Sequence, residues 1–112
     1  MTDCLFCKMV NGEIQPAVVL DNEHVLAFRD IRPQAPTHIL VIPKKHVATL
    51  DELEDAALAG ELLLAARQVA KQEGLDRDGY RTVINCRDFG GQEVYHLHLH
   101  VLGGRKLGWP PG

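Results

Sequence analysis

Three histidines alternate with leucines near the end of the chain, in the stretch QEVYHLHLHVLGG. Successive side chains of a strand point to opposite faces, so His96, His98 and His100 would share one face. Their Cα atoms would then lie about 6.5–7 Å apart, and three ligands in such a line would surround one Zn²⁺ poorly. A bound anion suits the row better, because one ring nitrogen can attack phosphorus while its neighbours donate hydrogen bonds to the oxygens.

A solvent-facing polar strand is the alternative explanation for these histidines. The DFGGQ segment before them favours a phosphate site, because backbone N–H groups of a glycine loop can converge on an anion. A hairpin turn explains Gly90 and Gly91 about as well. The strict alternation of the histidines therefore carries the prediction of phosphate chemistry.

Short apolar runs and turns predict the strands around this segment. AVVL (17–20) and VLAF (25–28) flank the turn-prone DNEH, which indicates a hairpin, and two prolines make DIRPQAPTH a loop. HILVIP (38–43) is typical of a buried strand, YRTVINC (80–86) alternates as a half-buried strand should, and the histidine run is predicted as the last strand.

A long helix is predicted from Asp51 to Gly74. Asp51 would cap it with Glu54 reaching back, and Gly74 followed by Leu75 would end it. Its apolar residues cover more than one stripe: Leu58, Leu62, Ala65 and Val69; Leu53, Ala57 and Leu64; Ala56, Leu63 and Ala70. An alanine-rich helix of high propensity would explain this width, but a helix buried both in its own core and against a second subunit explains it better.

The resulting order of elements predicts an α+β fold, in which an antiparallel sheet carries helices on one face. With 112 residues, the chain is expected to form one domain, 1–112. The net charge of −3 argues against a nucleic-acid-binding surface, and no apolar run is long enough to cross a bilayer. Three cysteines and an N-terminus without a secretion signal argue against a disulfide framework and predict a cytoplasmic protein.

The motif HLHLHVL resembles the signature of the histidine-triad (HIT) family. FRDIRPQAPTHILVIPKKH, GYRTVIN, GGQEVYHLHLHVLGGR and WPPG are similar to the Hint branch, the histidine-triad nucleotide-binding proteins, and the resemblance runs from Cys4 to Gly112. It implies a HIT-like fold with an antiparallel sheet of about five strands, one long helix and one short helix. It also implies a homodimer whose sheets join edge to edge, with the long helices at the interface.

The resemblance also assigns roles to individual residues. His98 would be the nucleophile that forms a nucleotidyl-imidazole, His100 would bind the phosphate, and His38 would close the site. The nucleotide contacts it implies are Leu5, Phe6, Asp30, Ile31, Asn85, Gly91, Gln92, Glu93, His98 and His100. Many animal relatives have serine where this chain has Glu93, so the role of Glu93 stays open. The tail with Trp109 would reach towards the partner's site.

Cys4 and Cys7 form a C-x-x-C pair. A redox role would need a preceding strand, and the pair alone is half of a zinc site. In some bacterial HIT proteins that this chain resembles, the site is completed by residues corresponding to His46 and His96, which implies structural zinc here. Two small buried thiols are the alternative.

The family likeness implies a phosphoramidase that hydrolyses purine nucleoside 5′-phosphoramidates, and aminoacyl-adenylates, to a monophosphate such as AMP or GMP. No catalytic cofactor is expected, because imidazoles and backbone amides can neutralise the phosphate. A dinucleoside polyphosphate hydrolase of the Fhit type is one alternative. A nucleotide-binding adaptor with incidental hydrolysis is another.

Overall fold

One antiparallel sheet of five strands organises the protein in a computed structural model, which describes residues 3–112. The strands are β1 (Val18–Asp21), β2 (Val25–Arg29), β3 (Thr37–Pro43), β4 (Arg81–Ile84) and β5 (Leu99–Gly103). The helices are α1 (Leu5–Val10) and α2 (Ala56–Gln72), with a 3₁₀ turn at Leu50–Glu52. The order β1-β2-β3-β5-β4 confirms the predicted α+β fold with one long and one short helix.

The two helices lie on opposite faces of the sheet. Along β3, Ile39 and Val41 pack in the core beneath α2, whereas Leu40 and Ile42 pack with Phe6 of α1. The prediction that the helices share one face was wrong. With only six residues, α1 is too short to show a helical period in the sequence.

Helix α2 begins four residues later than predicted. Its N-cap is Asp55, whose Oδ1 accepts the Leu58 N–H at 3.0 Å, while Asp51 lies in the 3₁₀ turn and pairs with Arg87. The extended backbone of Leu53 separates the two segments (φ −78°, ψ 116°). Asp51 and Asp55 are equally good N-cap candidates in the sequence, so the capping pattern predicted the wrong one.

The predicted end of α2 is confirmed. Gly74 has φ +74° and its N–H donates to the Lys71 carbonyl, while the Leu75 N–H reaches the Ala70 carbonyl at 2.8 Å. These two bonds form the Schellman motif, which requires the left-handed conformation that glycine adopts without strain. Leu75 is buried in the core.

The last strand is shorter than predicted. The ladders of β5 with β3 and β4 start at Leu99, so His96 and His98 precede the strand. The Leu97 N–H donates instead to the Val47 carbonyl at 2.7 Å, so the loop after β3, rather than a neighbouring strand, holds this segment. Leu97, Leu99 and Val101 still pack in the core beneath α2.

Within residues 3–112, neither helix has the length and apolar content that a membrane span requires.

Candidate functional site

Strands β3 and β5 bring two histidines into contact on the sheet face that α1 occupies. Leu40 pairs with His100 and His38 with Leu102, so the two imidazoles are diagonal neighbours across the ladder. The distance from His38 Nε2 to His100 Nδ1 is 2.9 Å. Two of the predicted catalytic residues therefore form one hydrogen-bonded unit.

A backbone group fixes the direction of this hydrogen bond. The Gln34 N–H donates to His38 Nδ1 at 3.0 Å, so in the neutral ring the proton is on Nε2. His38 Nε2–H then donates to His100 Nδ1, and His100 carries its own proton on Nε2. That buried atom has no hydrogen-bond partner among residues 3–112. An unpaired buried donor is costly, so His100 Nε2–H is prepared for an acceptor such as a phosphate oxygen.

Burial keeps this pair neutral. Burial, followed by the positive charges that His98 and His38 would carry, lowers the pKa of His100 to about 4. Burial also lowers the pKa of His38, against the carboxylate of Asp30, whose Oδ2 lies 3.4 Å from Nε2. Near neutral pH both rings therefore keep the tautomers described above.

His98 has the opposite tautomer. Its Nδ1 lies 2.8 Å from the backbone carbonyl oxygen of His96, which can only accept, so Nδ1 carries the proton and Nε2 a free lone pair. The ring packs edge-on against Phe6 and lies 5.1 Å from the ring of His100, centroid to centroid. A lone pair beside an unpaired donor is what nucleophilic attack on a phosphate ester or amide requires.

A second cluster joins α1 to the segment before β5. The potential ligand atoms of Cys4, Cys7, His46 and His96 all lie within 4.8 Å of one another. The separations from His96 Nδ1 are 3.3 Å to Cys4 Sγ and 3.2 Å to His46 Nδ1. Donors around a tetrahedral Zn²⁺ are separated by about 3.3–3.8 Å, as bond lengths of about 2.0–2.3 Å require.

The hydrogen bonding of His96 also suits a metal. Its Nε2–H donates to the Pro43 carbonyl at 2.8 Å, which leaves Nδ1 unprotonated towards the thiols. Burial lowers the pKa of His96 to about 4, so the ring stays neutral as a ligand must. Burial, followed by the hydrogen bond and charge of Cys4, raises the pKa of the Cys7 thiol, and a cation would reverse that effect by stabilising the thiolate. The four residues fit structural zinc.

Asp30, His38 and His100 also bring three potential ligands together, but their hydrogen bonding does not fit a metal. A metal on His38 Nε2 would require the proton on Nδ1, where the Gln34 N–H already points. The arrangement is consistent with a hydrogen-bonded relay instead.

The remaining residues predicted to contact the nucleotide differ in their burial. Phe6 is buried against His98, whereas Leu5 and Glu93 are exposed and Ile31 is 91% exposed. Asn85 follows the last ladder pair of β4, Ile84–Leu99, and its side chain donates to the Gly90 carbonyl at 2.7 Å.

Two N–H groups of the glycine loop are engaged within the loop. The Gly91 N–H donates to Asp88 and the Gln92 N–H to Arg87, both at 3.0 Å. The Gln92 side-chain amide is also engaged, because Oε1 accepts the Arg87 N–H and Nε2 donates to Ala48 and Val94 carbonyls. Within residues 3–112, Gln92 therefore stabilises the loop through its side-chain hydrogen bonds.

The backbone groups of Gln34, Pro43 and His96 fix the histidine tautomers, and the sequence does not mark them. Every residue has a carbonyl, and every residue except proline has an N–H, so no residue type marks these positions.

Acid is expected to destabilise the metal-free protein through its buried histidines. The pKa values of His96 and His100 are lowered to about 4, whereas an unfolded histidine titrates near about 6.5, so the unfolded chain binds more protons between these values. The free energy of unfolding should fall as the pH is lowered from about 6.5 towards 4, and should not depend on these groups above that range. Urea unfolding at several pH values, with a chelator present, measures this.

His100→Asn should flatten part of that pH dependence, and His24→Asn, at an exposed position, should leave it unchanged. An equally steep profile in His100→Asn would contradict the assignment.

The fold and the site together define a small α+β protein built around a histidine cluster. A family model described as the HIT domain matches residues 11–107. An HIT-like protein from Synechococcus elongatus is 55% identical, over 98% of this chain and 97% of its own. A 14 kDa zinc-binding protein from Zea mays is 54% identical, over 96% of this chain and 87% of its own.

The same likeness extends to solved structures. The crystal structure of an HIT family hydrolase from Legionella pneumophila is 55% identical and has a TM-score of 0.96, covering 98% of this chain and 100% of that one. The chain belongs to the HIT family.

Proposed function

We propose that the protein hydrolyses purine nucleoside 5′-phosphoramidates, as a member of the Hint branch. The observation that carries the proposal is the tautomer of His98, whose Nδ1–H is bound by the His96 carbonyl so that Nε2 is a free nucleophile. The Legionella relative, named a hydrolase, supports hydrolysis in general. Aminoacyl-adenylates present the same phosphorus with a different leaving group and belong to the same substrate class.

The reaction proceeds in two displacements at one phosphorus. The His98 Nε2 lone pair attacks the α-phosphorus, the P–N bond to the amine breaks, and the amine leaves with a proton from the site. Water then attacks the phosphorus and loses a proton, which replaces the one that the amine removed from the site. The bond to His98 breaks, the ring returns to its neutral form, and the nucleoside monophosphate is released. Two steps with an intermediate replace one difficult displacement.

The neighbouring groups stabilise these steps. The His96 carbonyl, at 2.8 Å from Nδ1, stabilises the positive charge of the nucleotidyl-imidazolium. His100 Nε2–H is the free donor for a non-bridging oxygen. His38 holds the other ring nitrogen of His100, and Asp30 in turn contacts His38. The negative charge of the phosphate strengthens the hydrogen bond that the neutral His100 ring donates through Nε2–H.

Release of AMP from adenosine 5′-phosphoramidate tests the proposal directly. The expected result is at least tenfold higher kcat/KM for this substrate than for diadenosine triphosphate. The reverse preference would refute the proposal and indicate a dinucleoside polyphosphate hydrolase. Nucleotide binding without release of AMP from either compound would favour the adaptor.

We also propose that four residues of this chain hold a structural zinc ion, which would cross-link α1 to the loop after β3 and to the segment before β5: Cys4, Cys7, His46 and His96. The name of the Zea mays relative supports the metal. Thiolate ligands require reduced cysteines, which supports a cytoplasmic location.

A homodimer is proposed from the side of α2 that faces away from the sheet. Leu63 and Leu64 are 58% and 64% exposed there, and β4 forms an edge of the sheet. A second copy would bury both leucines and extend the sheet across the β4 edges.

Leu64→Glu is expected to convert the dimer to a monomer, because the charge would be buried without a partner. Analytical ultracentrifugation at micromolar concentration measures this. Val18→Glu, at an exposed position on the opposite edge strand β1, is the matched control and should remain dimeric. A monomeric wild-type protein, or a dimeric Leu64→Glu, would refute this interface.

A further inference from the structure

His96 connects the two clusters through different atoms. Its side-chain Nδ1 faces Cys4, Cys7 and His46, while its backbone carbonyl accepts the His98 Nδ1–H. The Pro43 carbonyl holds the other ring nitrogen. Any rotation of the backbone at His96 would therefore disturb the ligand set and the nucleophile together.

Phe6 provides a second connection. It lies between Cys4 and Cys7 in α1, is 3% exposed, and packs edge-on against both imidazoles. The centroid distances are 5.9 Å to His96 and 5.3 Å to His98, with interplanar angles of 71° and 88°. One aromatic ring thus touches a predicted ligand and the nucleophile.

The helix that carries Phe6 is not stable by itself. A helix of six residues is far below the length that is stable in water, so tertiary contacts must hold it. Its N-cap is the sulfur of Cys4, which accepts the Cys7 N–H at 3.3 Å. Ligation of both thiols would fix the helix from its first turn and hold Phe6 against the ring of His98.

The hydrogen bond that positions the phosphate-binding donor lies within the sheet. His100 lies within the β5 ladder, and its Nδ1 is held by His38 of β3. The donor that is free for phosphate is therefore positioned mainly by β3 and β5.

We propose that occupation of the Cys4–Cys7–His46–His96 site sets the orientation of His98, with Phe6 as a positioning residue, so that loss of the metal slows the chemical step but not nucleotide binding. The kinetic part of this inference rests on the proposed function. The spectroscopic part does not.

Long-range ¹H–¹⁵N correlation spectra of histidine-labelled protein report the His98 tautomer directly. The metal-loaded protein should show Nδ1 protonated. After chelation we expect a tautomer mixture, a fall of about 10–100-fold in the single-turnover rate, and an AMP Kd within about twofold. Adding zinc should restore the single tautomer and the single-turnover rate. An unchanged His98 signal in the metal-free protein would overturn the inference.

If the chelated protein unfolds, Phe6→Leu tests the inference in its place, because this substitution keeps all four ligands. With one metal per chain retained, we expect the same change in the His98 signal and a fall of about tenfold in kcat. A rise in KM alone would assign Phe6 to the base pocket and overturn its positioning role. Met9→Leu, on the same helix and in the same cluster, is the control and should change neither value.

If no phosphoramidate is hydrolysed by the loaded wild-type protein, the proposed function fails, while the spectra still decide the coupling. A His98 signal that does not respond to metal, in a protein that does turn over, refutes the coupling alone.

Discussion

Alanine at position 98 is expected to abolish release of AMP from adenosine 5′-phosphoramidate while the protein stays folded. No other ring can replace that of His98. His96 directs its lone pair at the thiols of Cys4 and Cys7. His100 has its protonated nitrogen unpaired, and His38 donates to it. Loss of a covalent nucleophile costs about 10⁴-fold or more in kcat. Steady-state hydrolysis measures the loss, and circular dichroism and thermal unfolding monitor the fold.

His24→Ala is the matched control, because the ring of His24 is exposed and its one side-chain partner within residues 3–112 is Glu23. It should keep wild-type kcat. The mechanism is refuted if His98→Ala, with its fold intact, retains a rate within about tenfold of the wild type.

Cys4→Ser is expected to abolish zinc binding and lower the melting temperature. Serine can still accept the Cys7 N–H as an N-cap, so the substitution separates the metal from the helix cap. A metal bound at about 1,000 times its Kd adds about 4 kcal/mol to the free energy of unfolding. For a chain of this size, that corresponds to a fall on the order of 15 °C in Tm.

Metal content by elemental analysis and thermal unfolding with zinc present test this expectation. Cys86→Ser, outside the ligand cluster, should keep one zinc per chain and the wild-type Tm. Equal metal content in Cys4→Ser and Cys86→Ser would refute the zinc site and indicate that Cys4 and Cys7 are free thiols.

Local patterns predicted most of the fold. Strands β1 to β3 alternate or are continuously apolar over short runs between turn residues, and the end of α2 at Gly74 depends on one left-handed glycine. The errors occurred where contacts between residues distant in the sequence determine the structure. The choice of Asp55 over Asp51, the opposite face for α1 and the start of β5 at Leu99 all depend on packing that a period cannot show.

The side chains of the site could be predicted because histidine and cysteine are chemically specific and regularly spaced. Their protonation states could not be predicted. Gln34 lies four residues before His38, and Pro43 lies 53 residues before His96, yet both act through main-chain atoms. Nothing in a residue's identity indicates where its carbonyl or N–H will point.

Control of three imidazoles by main-chain atoms makes the cluster tolerant of sequence drift around it. Any amino acid at position 43 still offers a carbonyl to His96, and any residue but proline at position 34 still offers an N–H to His38. A substitution at either position that keeps the path of the main chain therefore leaves each ring's proton on the same nitrogen.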